Sequence, residues 1–239
     1  MFLLQPLRWI LLIYVVAALL PALILMRYIY CQDRVEKESI GLLMALFLRG
    51  IISALCAGVL ESILMPVLGR IFSEGTILYT ILLAFVVVAM AEEGTKFFFL
   101  KRHTWYHPEF NYRFDAIVYA VFVSLGFAAY ENLLYVFNYG LSTAVLRAVT
   151  AIPAHMSFAV FSGVFYGRAK RCFVHGRHEM ARWNLQMAYV IAVAFHGFYD
   201  ACAMIGTGTS VVVFVVFVAA MFSMVLRLIK NESRLDQPM

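Results

Sequence analysis

MAEEGTKFFF, residues 90–99, is the stretch on which the reading of this chain turns. TILYTILLAFVVVAM runs into it without a single charge, and Leu100 extends the apolar run beyond it. Glu92, Glu93 and Lys96 therefore stand where a lipid-spanning helix is ordinarily oily. One such residue at the centre of a spanning helix costs roughly 2.5–3.5 kcal/mol on insertion scales. Three within five positions need a reason.

The rest of the chain makes the membrane reading firm. Of 239 residues 64% are hydrophobic and 14% charged, and the mean hydropathy is +0.85. A soluble domain of this length has too little interior to hide so much apolar surface, so lipid must serve as part of the solvent. Hydropathy predicts an all-α, polytopic bundle of about seven transmembrane helices near 7–30, 40–66, 76–100, 115–139, 143–167, 184–205 and 209–229. The first span lacks an A-x-A cleavage pattern and reads as a retained helix rather than a signal peptide. With short loops and no repeat, residues 1–239 read as a single membrane domain.

Charge sets the expected orientation. Segments 27–39, 101–114, 168–183 and 227–239 hold every Lys and Arg of the connections except Arg8, Arg70 and Arg147. The positive-inside rule then puts the amino terminus outside and the carboxyl terminus in the cytoplasm. The same distribution accounts for the net charge of +5 without nucleic acid. Cys31, Cys56, Cys172 and Cys202 are widely spaced with no C-x-x-C pair, so they read as packing residues rather than a disulfide or zinc framework.

With the spans drawn, the polar residues inside them carry the information. Glu92 and Lys96 stand at i, i+4 and Glu93 and Lys96 at i, i+3, so both pairs can meet on the helix surface. One ammonium compensates one carboxylate, and the second needs a proton, water or a partner on another helix. Adjacent glutamates point about 100° apart. The fourth span carries Glu131 and Asn132, the fifth His155 two residues after Pro153, and the sixth His196 and Asp200 at i, i+4. A carboxylate one turn from an imidazole fixes its tautomer, and Gly197 leaves a flank of that helix bare for close approach. Carboxylates and imidazoles at similar depth on four spans are equipment for activating water and protonating a leaving amine. Arg49 and Glu61, 12 residues or about 18 Å apart along the second span, read as structural charges near opposite interfaces. HGRH (175–178) and DRVEKE (33–38) read as solvated connections.

In order and spacing, E-E-x-x-K (Glu92, Glu93, Lys96), FDAIVYAVFVSLGFAAYENLLY (114–135), RAVTAIPAHMSFAVFSGVFYG (147–167) and HGFYDA (196–201) resemble the PrsW family. These are bacterial intramembrane proteases of glutamic type, distantly related to the CAAX-prenyl-protease and Aph-1 membrane fold. The resemblance covers about residues 85–205. It implies a multi-pass protein of the inner (plasma) membrane whose paired glutamates are Glu92 and Glu93 and whose essential histidine is His196. It also implies supporting roles for Glu131, Asn132 and His155. The implied substrate is a single-pass membrane protein, a family example being an anti-sigma factor receiving a first cut on its extracytoplasmic side.

On this reading Glu92 or Glu93 is the general base for a water held with His196, and Asp200 orients the imidazole. Asn132 with His155 stabilises the oxyanion, and Lys96 compensates glutamate charge. No metal or other cofactor is predicted, though Glu, His and Asp are also metal ligands, so a metal-dependent hydrolase stays open as an alternative. H-E-x-x-H is missing. An ion-coupled transporter and a non-enzymatic Aph-1-like scaffold are the readings from other classes.

Overall fold

The structure, a computed structural model, describes residues 4–239, with side chains from residue 8 onward. Among these residues helices account for nearly everything but short connections: α1 (Leu4–Gln32), α2 (Ile40–Ile71), α3 (Ile77–Leu82), α4 (Met90–Thr104), α5 (Asp115–Tyr139), α6 (Leu141–Val149), α7 (Ala151–Val174), α8 (His178–Ile205) and α9 (Gly208–Arg234). Seven helical runs are long and apolar enough to cross a membrane, with Ile77–Thr104 and Leu141–Val174 each counted as one. The chain is a multi-pass membrane protein. With no water in the bilayer core, helices satisfy the backbone internally, which is why apolar runs of this length fold this way.

Two spans depart from the uniform helices that hydropathy predicts. Between α3 and α4 the residues Leu83–Ala89 form a π-helical segment, so Ile77–Thr104 is continuous but changes phase. One residue of phase is about 100° of rotation, and it aims Glu92 and Glu93 inward while Met90 and Phe98 face out. The fifth span breaks at Thr150 into α6 and α7. Pro153 accordingly lies in the first turn of α7, where its missing N–H is not needed, rather than bending a continuous helix.

α5 and α7 form the middle of the bundle and are buried along most of their length; α1, α2, α8 and α9 surround them and turn apolar side chains outward. α2 crosses α5 at two glycines. A Cβ on Gly50 would lie 2.0 Å from the Val123 carbonyl oxygen, and one on Gly126 2.1 Å from that of Phe47. Backbone-to-backbone packing of this kind supplies the van der Waals contact that drives helix association where lipid cancels the hydrophobic term.

The DRVEKE connection is not solvated throughout. Asp33 and Glu38 are 2% and 4% exposed. They are covered by the 111–114 turn and the segment after α9, which are stitched together: Met239 N–H donates to the Asn111 carbonyl (2.8 Å), Phe114 N–H to Asp236 (2.9 Å), and Arg113 pairs with Glu232 (2.7 Å). Tyr119 donates to Glu38 at 2.6 Å. Of the cysteines only Cys202 is buried, so packing does not explain Cys31 or Cys56.

Candidate active site

α4, α5, α7 and α8 bring the polar residues together. Glu92 and Glu93 sit in the first turn of α4, with Lys96 one turn on; all three are about 95% buried. Lys96 Nζ donates to Glu92 Oε2 at 3.1 Å and Glu93 Oε1 at 2.8 Å, and reaches His155 Nδ1 at 3.2 Å. Its ammonium also lies 3.8 Å from the centre of the Phe127 ring, which shields it from lipid. A single ammonium thus serves both glutamates. With the ammonium donating to Nδ1, the other ring nitrogen of His155 is the one left to donate, and Nε2 meets Glu131 at 3.0 Å.

His196 supplies the second partner that the glutamates need. Its Nδ1 lies 2.8 Å from Glu93 Oε1, while its Nε2 faces Asp200 at 3.2 Å and Glu92 at 3.8 Å. The ring can therefore donate from both nitrogens. Phe158 stacks on it with centroids 4.9 Å apart, and a Cβ on Gly197 would fall 2.4 Å from the Phe85 ring. The bare flank of α8 is filled by the π-helical segment itself. That contact ties the phase shift before Glu92 to the position of His196.

Two features differ from the expectation drawn from spacing. Asn132 is fully buried; its amide donates to the Ala18 carbonyl at 2.8 Å and its oxygen accepts from Arg147 Nε at 3.0 Å. It fixes α1 and Arg147 rather than facing a reacting group. Arg147 reaches in from α6, a helix whose Val145, Leu146 and Val149 are exposed, and binds Glu131 at 2.8 Å beneath the Tyr135 ring. Spacing had an available signal, an arginine eight residues before His155 in a span drawn from 143. Glu61, by sequence a structural charge near an interface, faces the same group of side chains. It obeys the same rule that singles out Glu131, an ionisable side chain well inside a span.

A cavity of about 190 Å³ opens between these helices, lined by Glu61, Glu92, Glu131, Arg147, His155, His196 and Asp200 with apolar neighbours. It lies toward the end of the bundle that carries the α2–α3, α5–α6 and α8–α9 connections. Polar walls and this volume make it a site for water inside an otherwise apolar bundle. Glu93 does not line it; it faces Lys96 and His196 from behind.

Glu92, Glu93, His155 and His196 offer ligand atoms all within 4.8 Å of one another, the one such group of potential metal donors among the described residues. Two carboxylates with two imidazoles suit a borderline divalent ion by residue type. Lys96 shares three of the four donors, so it competes with any such ion for the same atoms.

Comparison with known proteins bears on what the chamber is for. The sequence profile described as PrsW family intramembrane metalloprotease matches residues 38–225. Protease PrsW of Halalkalibacterium halodurans is 29% identical over 221 residues, 92% of this chain and 97% of the relative. The Clostridioides difficile protein of that name is 33% identical over 84% of this chain and 83% of its own. The Oceanobacillus iheyensis one is 34% identical over 77% and 80%. No solved structure matches. With proteases aligned along most of its length, the chain is an intramembrane peptidase of the plasma membrane. It belongs to the PrsW family, whose profile takes in every helix from α2 to α8 and most of α9.

Proposed function

We propose that this peptidase cuts a single-pass membrane protein with a water activated by Glu92 and His196. The observation that carries the reading is the cavity: of the two adjacent glutamates only Glu92 lines it, beside His196. Glu92 takes a proton from the water as it attacks the scissile carbonyl. His196, held between Glu93 and Asp200, passes a proton to the departing amine as the C–N bond breaks. Glu93 and Lys96 position rather than react. Asn132 is committed to Ala18 and Arg147, so the oxyanion role expected of it falls to the donors that face the cavity, Arg147 foremost.

A divalent metal held by Glu92, Glu93, His155 and His196 would polarise the carbonyl and acidify the water, the chemistry that the family's description as metalloproteases names. The donor types favour that second reading; the ammonium among them favours the glutamic one. Metal analysis of the purified protein, with chelator treatment of the cleavage reaction, separates the two.

The Lys and Arg distribution supports an amino terminus outside, which turns the cavity end of the bundle to the extracytoplasmic side. The substrate class we infer is therefore a protein cut close to that face, an anti-sigma factor being the example that the family resemblance implies. Membrane proteomes of the wild type and a Glu92→Gln strain test this. A single-pass protein that accumulates uncut in the mutant is the expected result; identical proteomes in both strains would refute the proposal.

A further inference from the structure

The ionisable groups around the cavity are paired except one. Glu131 is held by Arg147 and His155, Asp200 by His196, and Glu92 and Glu93 by Lys96 and His196. Glu61 lines the same cavity from α2, half-buried, with no hydrogen bond or ion pair among the described residues. Even with both imidazoles protonated, four positive charges face five carboxylates. A carboxylate in the wall of a small cavity within an apolar bundle is disfavoured unless a cation or proton compensates it. On the outer side of Glu61, Val59, Leu60, Ile63 and Val67 are exposed, and no cation among the described residues pairs with it there.

Resting on the peptidase mechanism proposed above, we infer that Glu61 is a specificity-determining residue: it receives a Lys or Arg side chain of the substrate next to the scissile bond. Glu61 stands on α2, whereas Glu92 and His196 come from α4 and α8, so a peptide crossing the cavity presents one carbonyl to the water and a neighbouring side chain to α2. A cationic side chain brings the missing positive charge with it and is matched by a charge-assisted hydrogen bond. An acidic side chain at that position adds a sixth carboxylate and is rejected, so the same residue works by attraction and by repulsion.

The test uses the full-length enzyme in membranes and a single-pass reporter built on the protein that accumulates in the Glu92→Gln strain. Reporters carry Lys, Met or Glu at successive positions either side of the cut. Wild type is expected to favour Lys over Met at one register by about 10- to 100-fold, the worth of a hydrogen bond to a charged group in such a site. Glu61→Gln, near-isosteric and checked for an unchanged melting temperature, brings the Lys-to-Met ratio down toward one. Glu61→Lys turns the preference toward Glu, which a loss of fold cannot imitate. An unchanged Lys-to-Met ratio in Glu61→Gln overturns the inference, as does a wild type indifferent to Lys. If wild type cuts no reporter faster than Glu92→Gln does, the proposed function fails first and this inference with it.

Discussion

Gly197→Ala probes whether the π-helical segment and His196, the proton donor of the proposed mechanism, are one mechanical unit. The added Cβ would lie 2.4, 2.6 and 2.8 Å from three atoms of the Phe85 ring, against ordinary contact beginning at 3.4 Å. Removing that overlap requires a shift of about 1 Å between α8 and the ring, and Phe85 belongs to the π-helical run that ends one turn before Glu92. His196 is the adjacent residue, with Glu93 at 2.8 Å and Asp200 at 3.2 Å. A misplacement of about 1 Å at a catalytic group lowers rates by about 100-fold. Overpacking of this kind costs about 1–3 kcal/mol in stability, small enough for the bundle to persist. We therefore expect Gly197→Ala to purify as a folded protein that cuts the reporter about 100-fold more slowly. Phe85→Leu alone should be nearly silent, and in the Gly197→Ala background it should restore most of the rate by returning space. Wild-type cleavage by Gly197→Ala, or a defect that Phe85→Leu leaves untouched, would refute the coupling of ring, helix and imidazole.

Three further outcomes follow from other contacts. Arg147→Gln removes the ion pair to Glu131 and the bond to Asn132, and should slow cleavage about 10- to 100-fold with Arg147→Lys in between, read in the same reporter assay. Gly126→Ala places a Cβ against the Phe47 backbone and should destabilise the α2–α5 crossing by about 2 kcal/mol or more, measured by unfolding in mixed micelles. Burial raises the Asp33 carboxyl to about 6, with Asp236 and Glu36 adding and Lys37 opposing, and raises Glu38 to about 9 with Asp115 adding and Tyr119 opposing. Both folded values exceed the unfolded ones, so the native state holds the extra proton. Stability is greatest below the unfolded values near 4 and falls as pH rises through 6 and on toward 9. Asp33→Asn should raise the melting temperature at pH 8 and leave it nearly unchanged at pH 4; an equal effect at both pH values would count against this.

Much of the fold is legible in the sequence because the bilayer sets a length rule that apolar runs must obey. The seven expected spans fall on the seven helical runs, and the residues picked out by polarity inside them, Glu92, Glu93, Lys96, Glu131, His155, His196 and Asp200, meet around one centre. Phase was not legible. Hydropathy is blind to a π-helical segment such as Leu83–Ala89, because one extra residue per turn changes which face is buried but not how oily the run is. The break at Thr150 escaped for the same reason, and with it the inward turn of Arg147. Asn132 lies on the expected helix, but its bonds to Ala18 and Arg147 were not legible, since spacing along one helix says nothing of partners on another. Asp33 and Glu38 look solvated in a charged run and are buried by segments distant in sequence: Ser233 bonds Gln32 beside Asp33 from 201 residues away, and Tyr119 bonds Glu38 from 81.

The three charges of MAEEGTKFFF make sense together only as a division of labour. Had Lys96 paired with a single glutamate, the pair would be a self-contained structural bridge and the neighbour would need its own proton. Instead the ammonium is shared by Glu92, Glu93 and His155, so each is held partly and none is saturated. Glu93 completes its requirement with His196 and is withdrawn from the cavity. Glu92 is left facing the polar space with the Lys96 ammonium at 3.1 Å as its nearest partner and His196 farther off at 3.8 Å, which is the position a base needs if it is to take and return a proton. Replacing Lys96 by methionine should therefore do more harm than replacing Glu93 by glutamine. The first leaves two buried carboxylates against one imidazole, whereas the second removes one charge and keeps an oxygen that His196 can bond. Equal residual cleavage and equal melting temperatures in the two variants would show that the shared ammonium does not organise the site.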